Sequence, residues 1–132
     1  MSSPSIKSIE TKLAPAPVGP YSQAIHAKGW IYCSGQIALD PSSGEMVGDG
    51  DVEKETHQVF NNLQAVLKES GAQLKDVVKT TIFLTDLKDF GKVNNIYAKF
   101  FQGETSPARA CVEVSALPKG GKIEIECIAL LG

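Results

Sequence analysis

A chain of 132 residues, 42% of them hydrophobic, is long enough for one compact domain and too short for two comfortable cores. Its 13 basic and 15 acidic residues give a formal net charge of -2 with no long block of like charge, which leaves neither nucleic acid nor an anionic membrane as an obvious partner. Three cysteines, Cys33, Cys111 and Cys127, lack metal-ligand spacing and cannot all pair within one chain, and no apolar run approaches the roughly 20 residues of a membrane helix, so a soluble protein with reduced thiols is expected.

The serine-rich opening, Met1 to Pro17, contains Glu10 and no arginine and lacks the apolar stretch of a secretory signal. The expected compartment is the cytoplasm, with the mitochondrion as the alternative. Pro15, Pro17 and Pro20 deny the entry segment a regular helix, so residues 1–19 are expected to form an extended arm on a single domain spanning 1–132. Two stretches, about Ser22 to Ala27 and Trp30 to Leu39, flank Lys28-Gly29 and predict a hairpin, closed off by the turn residues Asp40 to Gly44. From about Asp51 the period changes. Thr56, Val59, Phe60, Leu63, Val66 and Leu67 recur at three and four, one apolar stripe of a helix that stops at Ser70-Gly71. Val77 to Thr85 is rich in β-branched residues and predicts a strand. Phe90, Val93, Tyr97, Phe100 and Phe101 mark a second amphipathic helix stopped by Gly103. Two strands follow, about Arg109 to Ala116 and Lys122 to Leu131, around the turn Leu117 to Gly121. The order β-β-α-β-α-β-β predicts an α+β domain with both helices on one face of the sheet.

Alternation assigns faces, because strand residues two apart point the same way. Arg109, Cys111, Glu113 and Ser115 share one face of the strand that begins at Arg109. In the last strand Glu124 and Glu126 share a face with Ile128 and Leu130. Such a mixed face on a small sheet suits a surface where subunits meet and enclose a polar pocket.

Arg109 is the only arginine among the basic residues; the rest are lysines. A guanidinium is a planar fork that can bind a carboxylate through two parallel hydrogen bonds, which makes Arg109 the first candidate for ligand binding. The alternative is a structural ion pair with Glu113, Glu124 or Glu126. Asn94 stands four residues after Phe90 and three before Tyr97, an amide on the apolar side of its helix that needs partners. Cys111 shares a strand face with Arg109, but His26 and His57 form no cysteine–histidine pairing, and a small buried hydrophobe is the simpler role for that thiol. Phosphate loops, dinucleotide fingerprints, paired cysteines and His-Glu-x-x-His are all missing, so no nucleotide or metal cofactor is expected.

Several stretches match a known family: Gly19-Pro20-Tyr21-Ser22-Gln23-Ala24, Ser34-Gly35-Gln36, the run Pro107 to Val114, Leu117-Pro118-Lys119 and Lys122-Ile123-Glu124-Ile125-Glu126. Together with Val78-Lys79-Thr80-Thr81, Asp86-Leu87 and Val93-Asn94, they resemble the RidA/YjgF family of reactive-intermediate deaminases, in order from residue 13 to 130. The resemblance implies a chorismate-mutase-like α+β fold and a homotrimer whose sheets surround a central barrel, with sites between neighbouring chains. It implies hydrolysis of 2-imino acids, the enamine and imine products of pyridoxal-phosphate dehydratases, to 2-oxo acids and ammonia, with no cofactor. By the same resemblance Arg109 grips the substrate carboxylate and Glu124, with Glu126 as runner-up, holds the attacking water. Tyr21, Ser34, Gly35, Asn94 and Cys111 line the pocket. Members of the family have also been described as ribonucleases that inhibit translation, and a 2-oxo acid-binding regulator is a third possibility. A mildly acidic chain whose aromatics sit on helix stripes fits a ribonuclease poorly.

Overall fold

Six strands and two helices make up the described part of the chain, residues 5–132 of a computed structural model. The strands are β1 (Ile6–Ile9), β2 (Ala24–Ala27), β3 (Trp30–Gln36), β4 (Val77–Leu84), β5 (Ala108–Glu113) and β6 (Ile123–Leu130); the helices are α1 (Val52–Glu69) and α2 (Phe90–Phe100). They form one mixed sheet in the order β1-β2-β3-β6-β4-β5. Every neighbouring pair is antiparallel except β4 and β5, which run parallel across the α2 crossover.

The expected order gains one element. The arm carries β1, which adds to the sheet edge with Ile6 opposite Ala27 and Ile9 opposite Ala24. Four residues make a strand too short to announce itself by alternation. The prolines that follow lack donors and keep the rest of the arm out of the ladder. The fifth strand is also shorter than expected, ending at Glu113, as Val114 leaves the ladder after one last bond from its N–H to the Leu84 carbonyl.

The core lies between the helices and one sheet face. Along α1 the predicted stripe is buried, with Thr56, Val59, Phe60, Val66 and Leu67 fully enclosed and Leu63 nearly so. Opposite them sit Ile31, Ile82, Leu84, Ile123, Ile125 and Ala129. Each valine, leucine, isoleucine or phenylalanine among them contributes roughly 1.5 to 3 kcal/mol by leaving water. The helix begins where Asp51, in extended conformation, accepts from the N–H groups of Glu53 (2.9 Å) and Lys54 (3.3 Å). It ends where Gly71 takes the left-handed conformation that glycine adopts without strain (φ 86°).

Three buried polar side chains sit in this core and fix loops rather than fill space. Glu55 accepts from the Lys122 N–H (2.8 Å), pinning the entry to β6. Asn62 donates to the carbonyls of Ile37 (3.2 Å) and Leu39 (2.9 Å), pinning the exit from β3. Gln23 accepts from the Thr11 N–H (2.7 Å) and donates to the carbonyls of Thr11, Ala14 and Pro15, so a single amide sutures the arm to the sheet. Among the described residues no helix is long and apolar enough to cross a membrane.

Candidate active site

The expected site residues fall into two clusters. The first is built on β5 and α2. Phe90, Asn94 and Tyr97 lie at i, i+4 and i+7 on one face of α2, and Arg109 of β5 lies against that face. Its Cζ stands 4.8 Å from the centre of the Tyr97 ring and 5.4 Å from that of Phe90. Its Nη1 donates to Asn94 Oδ1 at 2.6 Å. The amide that needed a partner thus finds one in the guanidinium.

No ion pair of the anticipated kind forms among the described residues. The Glu113 carboxylate accepts instead from the Leu87 N–H (2.9 Å), and Glu124 is affected by burial and by Glu126 but not by Arg109. Rings and an uncharged amide hold the guanidinium in place at an exposed edge. Cys111, two residues on, is partly buried, and burial raises its thiol above the ordinary range despite the nearby Arg109 charge. A thiol held protonated is a weak nucleophile.

The second cluster lies where β3, β6 and the arm meet. Tyr21, Gly35 and Glu124 line a hollow of about 40 Å³ together with Val18, Ile37 and Pro118. Room of that size suits a water or two and no more. Tyr21 is half exposed, and its hydroxyl accepts from the Val18 N–H (3.2 Å). Ser34 stands beside the hollow with its hydroxyl donating to the Ser22 carbonyl (2.6 Å). Gly35 is needed for space. A Cβ there would overlap Glu124 Oε2 and lie 2.8 Å from its Cδ, so the carboxylate rests directly on the bare backbone. Burial, and after it the like charge of Glu126, raises the Glu124 carboxyl above the ordinary carboxylate range. Glu126 itself is exposed. A larger open groove of about 620 Å³ lies between the arm, at Glu10, Thr11 and Lys12, and Pro41 and Ser42, and holds none of the expected site residues.

One chain keeps the two clusters apart. Glu124 pairs with Phe83, and Phe83 with Val112, so these three share a row and a face of the sheet. Arg109 lies three residues before Val112 and therefore on the opposite, helix-covered face. Two strand spacings across and three residues along put the two Cα atoms roughly 14 Å apart. Among the described residues, no group of three histidine, cysteine or acidic side chains is placed to hold a metal.

Sequence reasoning gave no place at the site to Gln23 or to Pro15, Ala16 and Val18, which line the hollow. A signal for the first existed: glutamine between half-buried strand residues, next to an arm whose prolines leave carbonyls without ladder partners.

A family model described as Endoribonuclease L-PSP matches residues 11–131. The chain belongs to this family, the RidA/YjgF group. Among RidA/YjgF relatives, the 2-iminobutanoate/2-iminopropanoate deaminase of Mus musculus is 52% identical over all of this chain and 96% of its own length. A RutC family protein of Synechocystis is 53% identical over 96% of this chain and 97% of its own. Among solved structures, a conserved Rid family protein from Yersinia pestis superposes with a TM-score of 0.93 at 50% identity, covering 96% of this chain and 100% of the other. TdcF of E. coli with bound serine gives 0.90 at 39% identity, covering 96% and 99%. The six-stranded α+β architecture is thus the Rid fold.

Proposed function

We propose that this chain is a 2-imino acid deaminase, and that its active site forms where the Arg109 cluster of one subunit meets the Glu124 hollow of the next in a homotrimer. The observation that carries the reading is the state of Arg109: a guanidinium ordered by rings and an amide, with no described carboxylate to neutralise it, at an exposed edge. A charge prepared in this way and left without a counter-ion suits an anionic ligand. Association is supported by the sheet face away from the helices, where Trp30, Tyr32, Val112 and Leu130 remain exposed around Glu124 and Glu126. The water-sized hollow complements the acid-binding edge. The mouse relative's name and the serine bound to TdcF support a small amino-acid-like substrate.

In this mechanism Arg109 receives the substrate carboxylate through two charge-assisted hydrogen bonds. A water beside Glu124 attacks C2 of the imine while the carboxylate takes its proton, giving a carbinolamine. Glu124 returns the proton to the nitrogen and then takes the hydroxyl proton as the C=O bond forms and the C–N bond breaks, releasing ammonia and the 2-oxo acid. A raised pKa makes the ionised carboxylate a stronger base toward the attacking water. A protonated imine is already electrophilic, so orientation and one proton relay suffice.

The decisive assay generates imine from threonine with a dehydratase and compares ammonia release with and without this protein. Acceleration that disappears in Arg109→Ala supports the reading. No acceleration at any protein concentration, from a trimer verified by sedimentation, would refute it.

A further inference from the structure

Tyr97 is buried beneath the Arg109 fork, and its hydroxyl lies 2.7 Å from that of Thr80, which is also buried. Thr80 and Arg109 are register partners on the adjacent parallel strands β4 and β5. The ring therefore bridges the two strands, tied at its hydroxyl end to β4 and presenting its face to the cation carried by β5. Phe60 and Phe101 pack against it at centroid distances of 5.9 and 4.7 Å, so little room is left for it to tilt.

We propose that Tyr97, tethered through its hydroxyl to Thr80, is a positioning residue that aims the Arg109 fork at the substrate carboxylate. The inference rests on the deaminase reading, in which Arg109 holds that carboxylate. The physical reason is preorganisation. An arginine at an exposed strand edge would otherwise sample many rotamers and lose that freedom on binding. A ring face attracts the guanidinium without neutralising it, which a carboxylate in the same place would do. Asn94 fixes rotation within the guanidinium plane, and Tyr97 fixes the plane itself.

Because Arg109 is the only arginine, arginine-selective 15N labelling of the full chain yields side-chain signals from a single guanidinium. Protons over an aromatic face resonate upfield, so the side-chain N–H protons should lie upfield of their positions in the urea-unfolded chain. Tyr97→Leu should abolish that shift and Tyr97→Phe should retain most of it. With 2-oxobutanoate as the carboxylate probe, Tyr97→Leu should weaken binding about tenfold. Tyr97→Phe and Thr80→Val keep the ring but cut its tether, and each should weaken binding about two- to threefold.

Wild-type protons at unfolded-chain positions, or Tyr97→Leu binding within about twofold of wild type, would overturn the proposal. Unchanged shift and affinity in Thr80→Val would overturn the tether. If Tyr97→Leu does not fold, the wild-type shift and Thr80→Val decide. Failure of the deaminase reading has a different signature: the wild-type trimer would not accelerate imine hydrolysis while its guanidinium shift stands, and Arg109→Ala that kept hydrolysis and 2-oxobutanoate binding would remove Arg109 from the site.

Discussion

The edge that carries Arg109 and the hollow that carries Glu124 prepare charge in opposite ways. Arg109 is exposed and is ordered by rings and an amide that leave its charge intact, so it is available before any ligand arrives. Glu124 is half-buried, and burial together with Glu126 makes its charged form costlier than that of an ordinary carboxylate, so it takes up a proton more readily. A binding charge should be permanent, whereas a relay should be easily discharged. The two environments suit the two proposed roles more plainly than the residue types alone.

The strongest way to break the comparison is to remove the permanent charge or its shape. Arg109→Ala should lower kcat/KM for 2-iminobutanoate on the order of a hundredfold, from two charge-assisted bonds of roughly 1.5 to 3 kcal/mol each discounted for partial replacement by water. Arg109→Lys should fail almost as badly, because a point charge can neither fork nor lie flat on the Tyr97 ring. Activity of the lysine variant within threefold of wild type would mean that only charge matters at that edge.

Next in size is Gly35→Ala. Its methyl would displace the Glu124 side chain, whose flexible end can yield, so the fold should survive while the relay moves. A loss of roughly ten- to a hundredfold in kcat is expected, within the range that proton transfer contributes. Stopped-flow measurement of kcat alongside 2-oxobutanoate affinity checks it. If affinity collapses while kcat holds, the hollow binds the acid and the assignment of the two regions is reversed.

Gln23→Ala probes what supports the hollow. Loss of the amide frees the Thr11 N–H and three arm carbonyls, at about 1 kcal/mol for each bond not replaced by water. A destabilisation of about 3 kcal/mol is expected, read by urea denaturation. Wild-type stability would show that the arm is held by its own packing.

The parts of the fold legible in the sequence were those set by periodicity. The α1 stripe, the β-branched run of β4 and the alternation of β6 each repeat a local pattern many times, and each appears where expected. β1 repeats nothing, being four residues placed by what they pair with. Glu55 and Asn62 were hidden for another reason. They sit at the same three-and-four spacing as the apolar stripe, with Val59 and Val66 between and beyond them, but a search for hydrophobic residues passes over polar ones. Polar residues in register with an apolar stripe are the signal that finds such pins. At the site, motif resemblance gathered Arg109 and Glu124 into one group, whereas the sheet register sets them on opposite faces. One-dimensional motifs carry no face until the ladder is known.

Glu126→Gln offers the finest test, since it changes one charge beside the hollow and leaves the Arg109 edge alone. Burial is the larger cause of the raised Glu124 pKa and Glu126 the smaller, so removing the like charge should lower that pKa but keep it above the ordinary carboxylate range. If the ionised carboxylate accepts the proton from water, kcat/KM falls as pH drops through the Glu124 pKa, and the acid limb should move to lower pH in the variant. Stability carries the same sign. A carboxyl whose pKa is raised on folding binds more protons in the native state, so stability declines as pH rises between its unfolded and folded values, and the variant should flatten that decline. An acid limb that stays in place while the stability profile flattens would show that Glu124 titrates as described but is not the group that governs turnover.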